Sequence, residues 1–142
     1  MLKYAQIISY DTDKYPFSKI LAAYVFRVKH INKLHLYWSK QNNGRRLGYQ
    51  DNISLRNIMQ KLPDDALFYK IYHQWIFDML AVHYAHKISY SKHPKMRVHL
   101  AGTDSVSDFH RDANITKRAD QINCYLPFTD VFESSSILCE SN

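Results

Sequence analysis

Glycine, proline and cysteine are all scarce in this 142-residue sequence, which holds three, four and two of them. Disordered chains are poor in aromatic and apolar residues, whereas this chain is 46% hydrophobic and 14% aromatic. It has no apolar run near the roughly 20 residues that span a bilayer, and its start lacks the apolar core of a signal peptide. The sequence therefore predicts one folded domain in the cytoplasm, with no membrane partner.

The two cysteines, Cys124 and Cys139, lie in apolar runs without the spacing of a CxxC or Cys/His metal site. Buried free Cys behaves as a small apolar residue, and disulfides are rare in the cytoplasm. We therefore expect two buried thiols rather than a disulfide or a metal site.

The net charge of +6 is unevenly distributed along the chain. Residues 1–103 hold sixteen Lys/Arg and six Asp/Glu, whereas residues 104–142 hold three and seven. The basic residues are mostly single, and the only adjacent pairs are Arg45-Arg46 and Lys117-Arg118. Isolated basic residues are typical of an ordinary solvent-exposed surface, whereas a phosphate-binding surface has them clustered. We therefore expect no nucleic-acid partner. A small RNA-binding protein stays an alternative that salt-sensitive binding would favour.

The first two thirds of the chain carries mainly helical signals. Residues 17–28 form an apolar run that fits a helix or a strand, and we expect a helix, after a short edge strand over residues 6–10. Residues 39–51 are predicted to form a polar loop, after which Asn52 caps a short helix that ends before Pro63.

Residues 63–87 carry the clearest helical pattern. Pro63 and two carboxylates suit the first turn of a helix. Apolar and aromatic residues then recur every four positions and predict a stripe that faces the core. The stripe is formed by Leu67, Ile71, Trp75, Met79 and His83, joined on the neighbouring row by Tyr72, Ile76 and Leu80.

Beyond residue 94 the pattern changes to period two, as in a strand. Met96, Val98 and Leu100 alternate with Arg97, His99 and Ala101, and residues 122–126 alternate in the same way. Residues 136–140 supply a third run of this kind. Helices followed by strands predict an α+β fold with the helices on one side of a sheet.

The chemically most informative residues are His110 and Asp112, in Phe109-His110-Arg111-Asp112. Side chains two positions apart on an extended backbone point to the same face and can bind one cation together. One imidazole and one carboxylate are two of the three ligands in the facial triad of non-haem Fe(II). A His-x-Asp tripeptide is expected about once by chance in a sequence of this composition. The metal-site prediction therefore depends on its position between a turn-forming segment and a second apolar run.

The segment that contains this motif, MRVHLAGTDSVSDFHRDANITKRADQINCYLPFTDVFESSSILCES, resembles the first half of the iron(II)/2-oxoglutarate dioxygenase barrel. It is most similar to the branch of streptomycin-biosynthesis StrG-like proteins, and phytanoyl-CoA dioxygenase is a more distant relative. The resemblance implies a double-stranded β-helix, which is a cupin-like jelly-roll barrel. Residues 1–95 would then be a helical support region, and residues 96–142 the first strands of a truncated barrel.

The resemblance also implies roles for individual residues. His110 and Asp112 would bind Fe(II), with 2-oxoglutarate as the cosubstrate. Asn123 would donate a hydrogen bond to a cosubstrate carboxylate, and Arg97 and His99 are further candidates for cosubstrate contacts. The family's second histidine ligand and its arginine for 2-oxoglutarate have no counterpart in this sequence.

The expected function follows from that comparison. We expect the N-terminal part of an Fe(II)/2-oxoglutarate-dependent oxygenase of the hydroxylase type, acting on a small or secondary metabolite and inactive as this fragment alone. Open strand edges would favour self-association. The alternative is a catalytically inactive jelly-roll module that binds a ligand.

Overall fold

The computed structural model describes residues 6–84, 87–103 and 121–133, and its regular elements are helices. The α-helices are α1 (Phe17–Ile20), α2 (Leu34–Gln41), α3 (Tyr49–Gln60) and α4 (Leu67–Trp75). A first π-helix (Leu21–Phe26) continues α1, a second π-helix (Ile76–Ala81) continues α4, and a 3₁₀ turn (Ile31–Lys33) precedes α2. No helix in these ranges is long and apolar enough to cross a membrane.

The predicted helix over residues 17–28 is confirmed, with an unusual second half. After four α-helical residues the backbone widens into the first π-helix, which ends at Arg27 with a left-handed φ of 53°. The Val28 N–H closes this end by donating to the Ala22 carbonyl at 2.8 Å. A left-handed residue at a helix end is common, although it is usually glycine.

The predicted loop over residues 39–51 is too long at both ends. α2 extends to Gln41, and α3 begins at Tyr49, three residues before the predicted cap Asn52. The turn between them uses Asn43 and Gly44 at positive φ. The helix start is set by Asp51, which accepts the Gly48 N–H at 2.8 Å and so satisfies one of the free donors there.

The predicted helix over residues 63–87 is confirmed as α4 and the second π-helix, but its start and buried face are corrected. Residues 63–66 form a turn closed by an Ala66 N–H bond to the Pro63 carbonyl. Leu67, the first residue of the predicted stripe, is 44% exposed, and His83 is exposed. Trp75 of the predicted stripe and the neighbouring row of Tyr72, Ile76 and Leu80 are buried as predicted. Phe68 and Tyr69, which were not predicted, are buried with them.

Two hydrophobic clusters hold the helices together. The main core joins α1, the first π-helix, α4 and the second π-helix, and its aromatic rings meet edge to face, as at Phe17 and Trp75 with centroids 6.3 Å apart. The second cluster joins Leu34 of α2, Leu55 of α3 and Leu100. Residues 96–103 therefore lie across both clusters, because Met96 belongs to the first.

The expected jelly-roll barrel is wrong for the described part of the chain, which contains helices and no β-strand or sheet. Residues 96–100 are extended, and their alternation is as predicted: Met96 and Leu100 are buried, whereas Arg97 and His99 are exposed. Their inner face, however, rests on helices. An extended segment lying on helices produces the same period-two burial as a strand in a sheet, so the pattern alone could not separate them.

Candidate functional site

The two segments that flank the His110 motif in sequence are both fixed to the same core. Met96 is buried in the main cluster, and Leu126 and Phe128 pack against it from the other segment. His110 and Asp112 lie outside the described residues. The structure therefore shows how the described residues on either side of the motif, 96–103 and 121–133, pack on the helices.

Asn52 holds residues 100–103 in place. Its side-chain carbonyl accepts the Leu100 N–H at 2.9 Å, and its amide donates to the Thr103 hydroxyl at 2.8 Å. The same hydroxyl donates to the Leu100 carbonyl, which also accepts the Thr103 N–H. This turn places Gly102 at a φ of 77°, a conformation that glycine adopts without cost. The turn-forming segment predicted before the His110 motif thus begins with a turn at residues 100–103.

Asp51, the neighbour of Asn52, is the centre of a buried ionic cluster. Its carboxylate accepts two hydrogen bonds from Arg45, at 2.9 and 2.6 Å, and one each from the Trp38 indole and the Gly48 N–H. The Arg45 guanidinium makes the largest contribution to holding the pKa of this carboxyl well below its usual range, and the Gly48 and Trp38 donors lower that pKa further. Only 5% of the Asp51 side chain is exposed, whereas 52% of the Arg45 side chain is exposed, so a buried carboxylate is paired with a guanidinium that still contacts solvent. The cluster ties the 42–48 turn to α2 and α3.

Arg97 and His99 lie where the period-two pattern placed them, on the outer side of the extended segment. Both residues are exposed. Partial burial of the imidazole lowers the pKa of His99, and the nearby positive charge of Arg97 lowers it further. His99 is therefore biased towards the neutral form, in which a ring nitrogen can accept a hydrogen bond or bind a metal.

Asn123 and Cys124 lie in a segment that is less buried than predicted. Asn123 is exposed and its side-chain oxygen accepts a hydrogen bond from Gln121 at 2.8 Å. Cys124 is exposed, so the predicted burial of this thiol is wrong; Cys139 lies outside the described residues. Neighbouring residues still shield part of the Cys124 thiol from water. This partial burial raises its pKa and disfavours the reactive thiolate. The predicted alternation of residues 122–126 is not seen, since Ile122 and Tyr125 are both 53% exposed.

No three potential metal ligands converge among residues 6–84, 87–103 and 121–133. The structure brings Arg97 and His99 onto one side of one segment, and Asn123 lies on a different segment. Sequence reasoning missed the buried role of Asn52. Its spacing of three and seven from Leu55 and Met59, both buried on α3, was the available signal.

Comparisons with known proteins give no relative: no family model, no curated protein and no solved structure matches this chain.

Proposed function

We propose that this chain supplies His110 and Asp112 to a non-haem Fe(II) site that oxidises a small metabolite with 2-oxoglutarate as cosubstrate. The observation that carries the proposal is the His110-Arg111-Asp112 tripeptide in the sequence; 2-oxoglutarate enters as what the expected family resemblance implies. An imidazole nitrogen and a carboxylate oxygen suit Fe(II), and the carboxylate offsets part of its charge. The proposal includes a cytoplasmic location, a small-molecule substrate and no nucleic-acid partner.

The support from the structure concerns the surroundings of the motif. Asn52 and Thr103 hold the chain at residue 103, and Phe128 packs on the main core with Leu126. A metal site benefits when the segments that carry its ligands start and end at fixed points, because ligand placement then costs less entropy. The proposal does not require a jelly-roll barrel.

The other predicted site residues have a supporting role in this proposal. When bound, the iron supplies the oxygen chemistry, and the protein binds and orients the reactants. Arg97 carries the positive charge that a dicarboxylate needs, and a neutral His99 can donate or accept one hydrogen bond. Asn123 can donate through its amide.

The test is metal binding by the 142-residue chain, measured under anaerobic conditions by calorimetry with Fe(II). We expect one site per chain and a loss of affinity of at least about tenfold in His110→Ala and in Asp112→Ala, since loss of even a neighbouring support residue costs about 10- to 100-fold. The matched controls are His30→Ala and Asp65→Ala, which remove an exposed histidine and an exposed aspartate elsewhere in the chain. Equal affinity in the His110 variant and the His30 control would reject the proposal.

Turnover is measured separately, as succinate formed from 2-oxoglutarate with Fe(II) and ascorbate. Two protein ligands alone hold Fe(II) weakly, so we expect little or no succinate from these 142 residues. Succinate that persists at the same rate in His110→Ala would contradict the assigned role of His110.

A further inference from the structure

An apolar groove lies along the loop that leads into α1. Its volume is about 280 Å³, and its open surface is mostly apolar. An apolar cavity that binds one benzene has roughly 150 Å³, so this groove admits a larger apolar molecule. The residues that line it include Tyr10, Thr12, Tyr15, Pro16, Phe17 and Lys19.

Aromatic rings of the main core form the wall of this groove. The Tyr10 ring meets the rings of Tyr15 and Phe17 edge to face, with centroids 6.2 and 6.1 Å away. Tyr15 and Phe17 are both buried, and the Phe17 ring in turn meets Trp75 of α4. Because core packing fixes these rings, the wall is already formed before a ligand arrives, as is typical of small-molecule sites.

Lys19 is the one charged side chain among the described residues that line the groove. Its ammonium pairs with the Asp13 carboxylate at 2.8 Å, and the two side chains are 74% and 86% exposed. An ion pair this exposed is weak, because water screens it. The ammonium group has three donors, so it can bind a second carboxylate or exchange Asp13 for one.

We propose that this groove binds an apolar monocarboxylate, with the carboxylate on Lys19 and the apolar body along the aromatic wall. One positive charge beside an apolar surface suits a molecule with one negative group and no other polar part. A dicarboxylate would leave its second charge unpaired against apolar side chains, which is costly. This ligand therefore differs in kind from 2-oxoglutarate, and its binding does not depend on the Fe(II) proposal.

Octanoate is the probe for this site, and 1-octanol is its uncharged match. Binding is followed by two-dimensional NMR of the 142-residue chain, in which each tryptophan indole N–H gives its own signal. Trp75 meets Tyr10 and Phe17 and should respond, whereas Trp38 packs on the second cluster and is an internal control. A ligand of about ten heavy atoms should bind with a Kd in the millimolar range, and no response of Trp75 at about ten times that Kd would overturn the proposal.

Two charge variants should act in opposite directions if Lys19 binds the carboxylate. We expect Lys19→Gln to weaken octanoate binding about threefold, since an exposed ion pair contributes modestly. Asp13→Asn should strengthen it by a similar factor, because the ammonium loses its competitor. Neither variant should change the binding of 1-octanol. Lys70→Gln and Asp65→Asn, at exposed positions elsewhere, are the matched controls, and octanoate affinities equal to theirs would overturn the preference for an anion.

Thr12→Phe tests the location of the site, because Thr12 is exposed and lines the groove. The larger side chain should fill the groove and abolish binding of both octanoate and 1-octanol. Circular dichroism checks that the helices are intact. Octanoate binding that is unchanged in a folded Thr12→Phe would overturn the assignment to this groove.

Discussion

The buried amide of Asn52 satisfies two groups that lie 48 and 51 positions further along the chain. An unpaired N–H in a buried place costs about 1–3 kcal/mol, so the Leu100 N–H needs this partner where no neighbouring strand supplies one. A side chain thus replaces the hydrogen bond that a sheet would have provided. Sequence reasoning gave Asn52 the ordinary role of a helix cap, because local signals do not show a partner that arrives from a remote segment.

The adjacent Asp51 should make the free energy of unfolding fall as the pH becomes acidic. Arg45, then Gly48 and Trp38, lower the pKa of this carboxyl in the folded state from its usual 3.8. A lowered pKa means that the charged form stabilises the fold, so this contribution is fully present above about pH 4 and is lost as the pH falls through the folded-state value.

We therefore expect Asp51→Asn to lower the free energy of unfolding at pH 7 and to cost progressively less below about pH 4, where wild type loses the same contribution. The measurement is urea unfolding of both proteins across that range. Asp65→Asn, at an exposed position, is the control and should change stability by less than about 0.5 kcal/mol. A cost of Asp51→Asn that stays constant down to pH 2 would contradict the ionic role of Asp51.

At the scale of elements, three of the helical regions were predictable, whereas α2 and the boundaries and π-helical turns were not. Residues 63–87 gave a helical region because their four-residue periodicity is strong, and residues 17–28 gave one because their apolar run is rich in Ala, Leu and aromatic residues. α2 was missed because His35, Ser39 and Lys40 interrupt its apolar pattern. Both π-helices were missed as well, because a widened turn depends on how side chains such as Phe26 and Leu80 reach the core rather than on local propensity.

The sheet was predicted for a physical reason that also explains the error. Residues 96–100 alternate between buried and exposed as a strand does, and this part was correct. Alternation reports that one side is covered but does not report what covers it. The positions of Arg97 and His99 on the outer side could therefore be predicted, whereas the helices beneath Met96 and Leu100 could not.

Mutation can test directly which face of α4 is buried. Phe68 is 1% exposed, whereas its neighbour Leu67 is 44% exposed. We expect Phe68→Ala to lower the free energy of unfolding by about 3–5 kcal/mol, because it leaves a cavity between the rings of Phe17 and Phe128. Leu67→Ala, one position away, should cost less than about 1 kcal/mol. Urea unfolding measures both, and similar losses would favour the stripe that begins at Leu67.

At the scale of the whole molecule, the last described segment closes the fold onto its beginning. The Ser18 hydroxyl donates to the Phe128 carbonyl at 2.6 Å, a contact between residues 110 positions apart. The Asn32 amide donates to the Asp130 carboxylate at 2.7 Å. Contacts this far apart in sequence make stability depend on the chain as a unit, since closing such a loop costs entropy that only mutual packing offsets.

Phe128 should therefore affect the unfolding of residues far from it. Its ring packs against Phe17 and Phe68, with centroids 5.4 and 5.8 Å away, and Phe17 in turn meets Trp75. We expect Phe128→Ala to lower the free energy of unfolding by about 2–3 kcal/mol, less than a fully buried phenylalanine because Phe128 is half-buried.

The informative measurement on Phe128→Ala is tryptophan fluorescence during urea unfolding, compared with far-UV circular dichroism. If residues 121–133 are part of one cooperative unit, both signals shift together to lower urea in a single transition. Tyr125→Ala is the matched control within the same segment, because Tyr125 is 53% exposed and should leave both midpoints nearly unchanged. An unchanged fluorescence midpoint in Phe128→Ala would mean that the helices are stable without this segment. The anchoring of both flanks of the His110 motif to one core would then lose its energetic basis.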